Sequence, residues 1–258
     1  KRIEASGRKE TARRCLSFAG RVFRYGVATT RCKRDISADL KGALITPKVK
    51  HHAAILDPAG VGALLRAIDT FDGQPTTVWA LQIAPHVFVR PGELRQAEWS
   101  EIDLEAAVWR IPAIRMKMKR EHAVPLSNQV VAILREAKSV TGAGRFVFPS
   151  IRTTKRPMSE NTLNAALRRM GYSNNEMTSH GFRSTASTLL NESGIWSSDA
   201  IERALAHGDA NSIRATYHRG THWAERVKMA QWWSDYLDRL KFDKSVVPFQ
   251  RISIGNNG

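Results

Sequence analysis

The chain has 258 residues, 42% hydrophobic and 25% charged, enough for two domains or one large one with a proper core. No stretch approaches the roughly 18 apolar residues that a transmembrane helix needs, no secretory leader is visible, and two cysteines, Cys15 and Cys32, suggest neither a disulfide framework nor a CxxC metal site. Lys and Arg number 40 against 24 Asp and Glu, a net charge of +16, and residues 1–50 carry +10 of it, with 14 basic and 4 acidic residues. That density points to a polyanion, nucleic acid before others, although charge alone does not separate DNA from RNA or anionic lipid. The cysteine usage suits a reducing, cytoplasmic setting. The opening Lys1-Arg2-Ile3 lacks a Met and reads as a fragment without its natural N-terminus.

Residues 10–32 are predicted helical. Cys15, Phe18, Val22 and Tyr25 recur at spacings of three and four as an inward face, with Arg13, Arg14, Arg21 and Arg24 interleaved. A helix of this kind packs one face and offers guanidinium groups on another. Residues 1–46 form a small helical domain, and 47–56, aperiodic and containing Pro47, a linker. The larger domain, 57–240, opens on Asp57-Pro58, an N-cap followed by Pro at the first helical position. Val61, Leu64, Leu65 and Ile68 then share one face. A second helix is predicted over 76–89, kinked or ended in part by Pro85, and a short one from Pro91 to Ala97.

Residues 107–112 and 122–126 are predicted strands joined by a cationic hairpin tip, IRMKMKRE. Ser127 caps a helix burying Val130, Val131, Ile133 and Leu134; Ser159 caps another with Leu163, Leu167 and Met170 inward. Thr178 or Ser179 caps a helix that stops at Gly194, and Ser197 one that runs to His207 and stops at Gly208. A further helix starts near Asn211. The last spans about Trp223 to Leu240, with Val227, Ala230, Trp233 and Leu237 on one side, before a tail, 241–258.

Four pieces carry chemistry. His180 and Arg183, three apart in HGFR, share a face in a helix's first turn, where free N–H groups and the dipole favour an anion. Arg binds phosphate bidentately and stays charged. His207 and Tyr217 stand ten residues apart, and a turn at Gly208–Asn211 could bring imidazole and phenol to one place. Arg90 precedes Pro91-Gly92-Glu93, where Glu93 could hold it. Lys117 sits on the basic hairpin with Lys119 two residues on. Taken singly, each has an ordinary reading: surface pairs, a half-buried tyrosine, a structural ion pair, a solvated lysine.

The conjunction is more specific. R, K, HxxR, H and Y in this order resemble the tyrosine recombinase, or phage integrase, family. RPGELRQAEWSEID, WRIPAIRMKMKREHAVPLS, SHGFRSTASTLLNESG, ERALAH and RATYHR with the later MAQWWSDYLD are similar to integrases of satellite phages and genomic islands. The similarity runs from about residue 8 to about residue 240, and the family's N-terminal arm-binding domain is missing from it.

The resemblance implies a mainly α fold with a small antiparallel β-sheet: a small helical core-binding domain plus a larger α+β catalytic domain. It implies that Tyr217 attacks the scissile phosphate to form a 3′-phosphotyrosyl link, Arg90 and Arg183 clamp the non-bridging oxygens, His207 donates to the phosphate, His180 assists proton movement, and Lys117 is the general acid. Lys119 is the alternative to Lys117. Arg13, Arg14, Arg21, Arg24 and Lys119 are the candidate DNA contacts. No cofactor or metal is implied, and the sequence has neither a Walker A loop nor a carboxylate cluster suited to Mg²⁺. The implied partners are double-stranded DNA attachment sites, a homotetramer on DNA and host DNA-bending proteins, in the bacterial cytoplasm near the nucleoid, with no membrane. The competing readings are a type IB topoisomerase-like nicking-closing enzyme and a DNA-binding regulator without activity.

Overall fold

A computed structural model of the chain describes residues 1–46, 52–207 and 222–242. Gly208, Asn211, Tyr217 and nearly all of the tail lie outside the described residues. The chain divides into two compact units, Lys1–His51 and His52–Gly258.

In the first unit a short helix α1 (Arg2–Ala5) precedes the long α2 (Lys9–Ala28), and a 3-10 turn follows at Ile36–Leu40. Helix α2 stops four residues before the expected end at 32. Thr30 takes a left-handed φ of 58°, and Arg31 and Cys32 both donate their N–H to the Gly26 carbonyl. Its buried face also differs from the expected one. Ala12, Gly20 and Gly26 are buried, whereas Phe18, Val22 and Tyr25 are exposed. The small residues are inward because the chain returns against them: a Cβ at Gly20 would lie 2.7 Å from Ser37 Oγ, and one at Gly26 2.9 Å from Cys32 Sγ. Arg13, Arg14, Arg21 and Arg24 are exposed, Arg14 pairing with Glu10 and Arg24 with Asp35.

The second unit begins with α3 (Pro58–Asp69), where the Asp57 carboxylate caps the helix by accepting from Gly60 N at 2.7 Å. Val61, Leu64, Leu65 and Ile68 are buried, as the periodicity requires. Helix α4 (Pro75–Ile83) ends before Pro85, short of the expected 89, and is buried on several sides through Trp79, Ala80, Leu81 and Ile83. Helix α5 (Pro91–Arg95) leads to a three-stranded antiparallel sheet of β1 (Ile102–Asp103), β2 (Val108–Ile111) and β3 (His122–Pro125), in that order. Trp109 pairs with Val124 and Ile111 with His122. The Ser127 hydroxyl caps α6 (Asn128–Thr141).

A β4–β5 hairpin (Pro149–Ser150 and Thr153–Pro157) then appears where the sequence suggested no strand. Its alternation is weak because β5 is Thr-Thr-Lys-Arg-Pro, largely exposed. Helix α7 (Thr162–Arg169) starts at Asn161 rather than at Ser159. Helix α8 (Gly181–Ser193) follows, with the Thr178 hydroxyl accepting from Gly181 N at its start and Gly194 left-handed at its end. Ser197 caps α9 (Ser198–Ala204) as expected. The last helix, α10, spans Trp223–Phe242. Ala230, Trp233 and Leu237 are buried on it, but Val227 is exposed.

Two features tie α10 into the core. A Cβ at Gly62 would overlap the Leu240 carbonyl, so α3 and α10 approach as closely as backbone allows. Beneath this, the Trp233 indole donates to the Pro85 carbonyl at 2.8 Å. His86 bonds Ser234 Oγ at 2.8 Å, which donates to Ser127 Oγ at 2.8 Å. Burial pushes His86 down to about 4, so the imidazole is neutral in the folded state at neutral pH.

Gly62→Ala should force α3 away from α10 and lower stability by about 1–3 kcal/mol. Gly92→Ala, with open space at its Cβ, should leave the urea midpoint nearly unchanged. His86 also sets a pH dependence. Its unfolded value is 6.5 and its folded value about 4, so the unfolded chain takes up a proton first as pH falls. Stability should be intact above pH 6.5 and should decline toward pH 4, by at most about 1.4 kcal/mol per pH unit from this residue. Urea midpoints measured at several pH values should show that decline, and His86→Asn should flatten part of it.

Candidate active site

The end of α9 organises the site. The expected stop at Gly208 occurs earlier, at the Leu205 C-cap. Ala206 takes a left-handed φ of 48°, His207 N donates to Glu202 O at 3.0 Å, and Ala206 N donates to Arg203 O at 3.0 Å. This is a Schellman turn with Ala where Gly is usual. It leaves two successive carbonyls free to accept from elsewhere. Arg183 of α8 donates to the Leu205 carbonyl through Nη2. Arg90, immediately before α5, donates to the Ala206 carbonyl through Nη2 at 3.3 Å. Thus two arginines 93 positions apart in the sequence are anchored on adjacent carbonyls at the negative end of a helix.

Each arginine has a second anchor. Arg183, only 5% exposed, donates through Nη1 to the Phe88 carbonyl. Arg90 donates through Nη1 to Glu93 Oε1 at 2.8 Å, and Glu93 Oε2 accepts from Arg90 N at 2.7 Å. Burial, with the Arg90 charge beside it, pushes Arg183 down to about 10, still cationic at neutral pH. His207 follows the turn, exposed, with Nδ1 2.6 Å from Glu202 Oε2. His180 is the N-cap residue of α8. Burial first, then His52, Arg183, Arg90 and His207, push its imidazole down to about 4.

Arg90, Arg183, His180 and His207 are therefore brought together. Lys117 is not bonded into this group. The β2–β3 ladder ends at Ile111 and His122; Pro112 has no N–H with which to extend it, and a 3-10 turn at Ala113–Arg115 follows. Lys117 lies exposed within the next turn, closed by Lys119 N donating to Met116 O at 3.0 Å. Lys117 thus sits inside the turn of the basic hairpin, while Lys119 closes it at a left-handed φ of 49°. Tyr217 lies outside the described residues. Among the described residues no group of His, Cys, Asp and Glu side chains could hold a metal ion, and no helix is long and apolar enough to cross a membrane.

Three further residues were not singled out from the sequence. His122 is buried, and burial together with the Arg226, Arg183 and Arg90 charges pushes it down to about 3; its inward place in the alternation of β3 was the available signal. Arg226 of α10 donates to the Ala123 carbonyl and lies over the Trp223 ring at 5.5 Å. His52, assigned to the linker, packs on His180 with ring centroids 4.4 Å apart.

Residues 1–43 match the Phage integrase central domain. The protein IntB of Escherichia coli strain K12 is 40% identical over 270 residues, covering 99% of this chain and 68% of its own length. The integrase of Enterobacteria phage P4 is 40% identical over 252 residues, covering 92% of this chain. This chain spans 57% of that phage protein's length. Among solved structures, a lambda integrase dimer bound to a COC′ core site shares the fold, with a TM-score of 0.60 at 21% identity over 86% of this chain and 63% of that one. Residues 55–222, more than half of the sequence, match the Phage integrase family, and the chain belongs to that family.

Proposed function

We propose that this chain is the DNA-breaking and DNA-rejoining part of a tyrosine-type site-specific recombinase, with Tyr217 as its nucleophile. The observation that carries this reading is the pair of guanidinium groups, Arg90 and Arg183, anchored on the neighbouring Ala206 and Leu205 carbonyls. Cations fixed in place before substrate arrives stabilise growing negative charge without reorganising. A phosphodiester passing through a pentacoordinate transition state develops such charge on its two non-bridging oxygens.

The Tyr217 phenol gives its proton to His180, whose neutral ring can accept it. The phenol oxygen attacks phosphorus while Arg90, Arg183 and His207 bind the non-bridging oxygens. The bond from phosphorus to the 5′ oxygen breaks, and Lys117 supplies the proton that oxygen needs. The 3′-phosphotyrosyl ester retains the phosphodiester linkage, so attack by a 5′-hydroxyl of a second duplex rejoins DNA without ATP.

We also take residues 1–46 as a DNA-gripping domain joined by 47–56 to a catalytic domain over 57–240, with the tail 241–258 following. The exposed Arg13, Arg14, Arg21 and Arg24 of α2 then hold backbone phosphates, as does Lys119 at the hairpin. Exchange between two duplexes breaks four strands, which calls for four protomers on paired attachment sites. Bent sites assisted by host DNA-bending proteins, in the cytoplasm at the nucleoid, fit that assembly.

Two experiments test this. On a nicked suicide duplex carrying the attachment core, wild type should form a covalent adduct mapping to Tyr217. Tyr217→Phe should form none, and Arg90→Lys should be slower by roughly a hundredfold or more. Relaxation of supercoiled DNA without exchange between labelled duplexes would favour a nicking-closing enzyme instead. The choice of acid is read with a duplex whose 5′-bridging oxygen is sulfur, a leaving group that needs no proton. It should restore cleavage to Lys117→Ala and not to Arg90→Lys; restoration of Lys119→Ala instead would move the role to Lys119.

A further inference from the structure

Residues 52–56 run as a strap along the start of α8. The Ala53 carbonyl accepts from both Thr178 N and Thr178 Oγ1, each at 3.2 Å. The Ile55 carbonyl accepts from Thr185 Oγ1 at 2.7 Å. Between them, Gly181 leaves the room the strap occupies: a Cβ there would overlap the Ala53 carbonyl and lie 3.2 Å from Ala54 Cα. The strap is thus bonded to the residues just before and just after His180 and Arg183. At its head stands His52, exposed to solvent on one side, its ring tilted 42° to that of His180 with centroids 4.4 Å apart.

The groups that face His180 come from four places: His52 from the strap, Arg183 from α8 itself, Arg90 from the loop before α5, and His207 from the turn after α9. Each is a cation or becomes one on protonation, and each opposes a charge on His180. His52 differs from the other three. Arg90, Arg183 and His207 are candidates to touch the phosphate, while His52 touches the ring that would take the nucleophile's proton. A free imidazole at a helix N-cap rotates between side-chain wells; a ring packed on its face restricts that rotation, and proton transfer depends on aim.

We propose that His52 is a positioning residue for strand cleavage: packed against His180 and carried by a strap bonded to the same helix, it holds that imidazole in the orientation needed to accept the Tyr217 proton. This rests on the recombinase reading above. The proton passes from the Tyr217 oxygen to a His180 ring nitrogen, and His52 neither gains nor loses one.

His52→Ala and His52→Phe in the full chain test the proposal, since His52 is exposed and contributes little to the core. Two readouts are used: the NMR titration of the His180 ring, assigned by its loss in His180→Gln, and the pH profile of covalent adduct formation. The probe is a pool of nicked duplexes with a randomised core, from which wild type selects its own substrate by adduct capture. His52→Ala should raise the His180 midpoint by about one pH unit, move the acid limb of the cleavage profile upward in the same sense, and slow adduct formation at neutral pH by about tenfold or more. Duplex binding and thermal melting should stay as in wild type. His52→Phe, which keeps a packed ring without the charge, should recover most of the neutral-pH rate and leave the acid limb between wild type and Ala. The proposal is overturned if His52→Ala leaves the His180 titration and the cleavage profile unmoved, or if Phe is no better than Ala. A wild-type chain that captures no duplex would sink the recombinase reading, a result independent of the His180 titration.

Discussion

Two consecutive carbonyls at the end of α9 are the constraint on which the site depends. Leu205 accepts Arg183 and Ala206 accepts Arg90. A helix C-terminus leaves its last carbonyls without intrahelical partners, and here the partners come from α8 and the loop before α5. The Schellman turn makes this possible by directing the chain away at Ala206. A non-glycine residue held left-handed costs about 1–2 kcal/mol, a modest strain against the several kcal/mol that a buried guanidinium without acceptors would cost. The turn, the arginine positions and the packing of the three elements are one solution to one problem.

Charge explains why so much structure is spent there. Arg90, Arg183 and Arg226, with His52, His122, His180 and His207 around them, face few acids: Glu93 is committed to Arg90 and Glu202 to His207. Burial makes this costly, and four groups show it by shifting away from their charged forms, His122 to about 3, His180 to about 4, and Arg183 and Arg226 each to about 10. Backbone carbonyls neutralise only in part, because each is a dipole and not a charge. The arrangement is thus short of negative charge.

Much of this was legible in the sequence. Asp57-Pro58, Ser127, Ser197 and Gly194 mark helix ends correctly because capping is a local interaction between neighbours. The β2–β3 pair follows from alternation. The order Arg90, His180, Arg183, His207 was enough to name a site whose members the structure gathers. Failures share a cause: they depend on what packs from far away. Phe18, Val22 and Tyr25 have helical spacing, yet the 3-10 turn returns on the side of Ala12 and Gly20. The stop after α9 falls at Leu205 rather than at Gly208, since the turn is held by two arginines that local propensity does not see. His52 sits in an aperiodic stretch, and its meaning comes from Thr178, Gly181 and Thr185, more than a hundred residues later.

The same long-range ties fix the two roots of the segment that carries Tyr217. At its front, His207 follows the carbonyls that hold the arginines and is itself bonded to Glu202. At its back, α10 begins beside Glu225, whose carboxylate accepts from Ser197 N at 2.9 Å and from Ser197 Oγ at 3.0 Å. Ser197 is the cap of α9, so one seven-residue helix is bonded at its start to the element after the segment and at its end to both arginines. A displacement of α9 cannot move one root of the segment without disturbing either the arginine anchors or the α10 contact. The two ends of that segment and the orientation of Arg90 and Arg183 are therefore mechanically linked through α9. A packed interior responds to such a shift as a unit and not residue by residue.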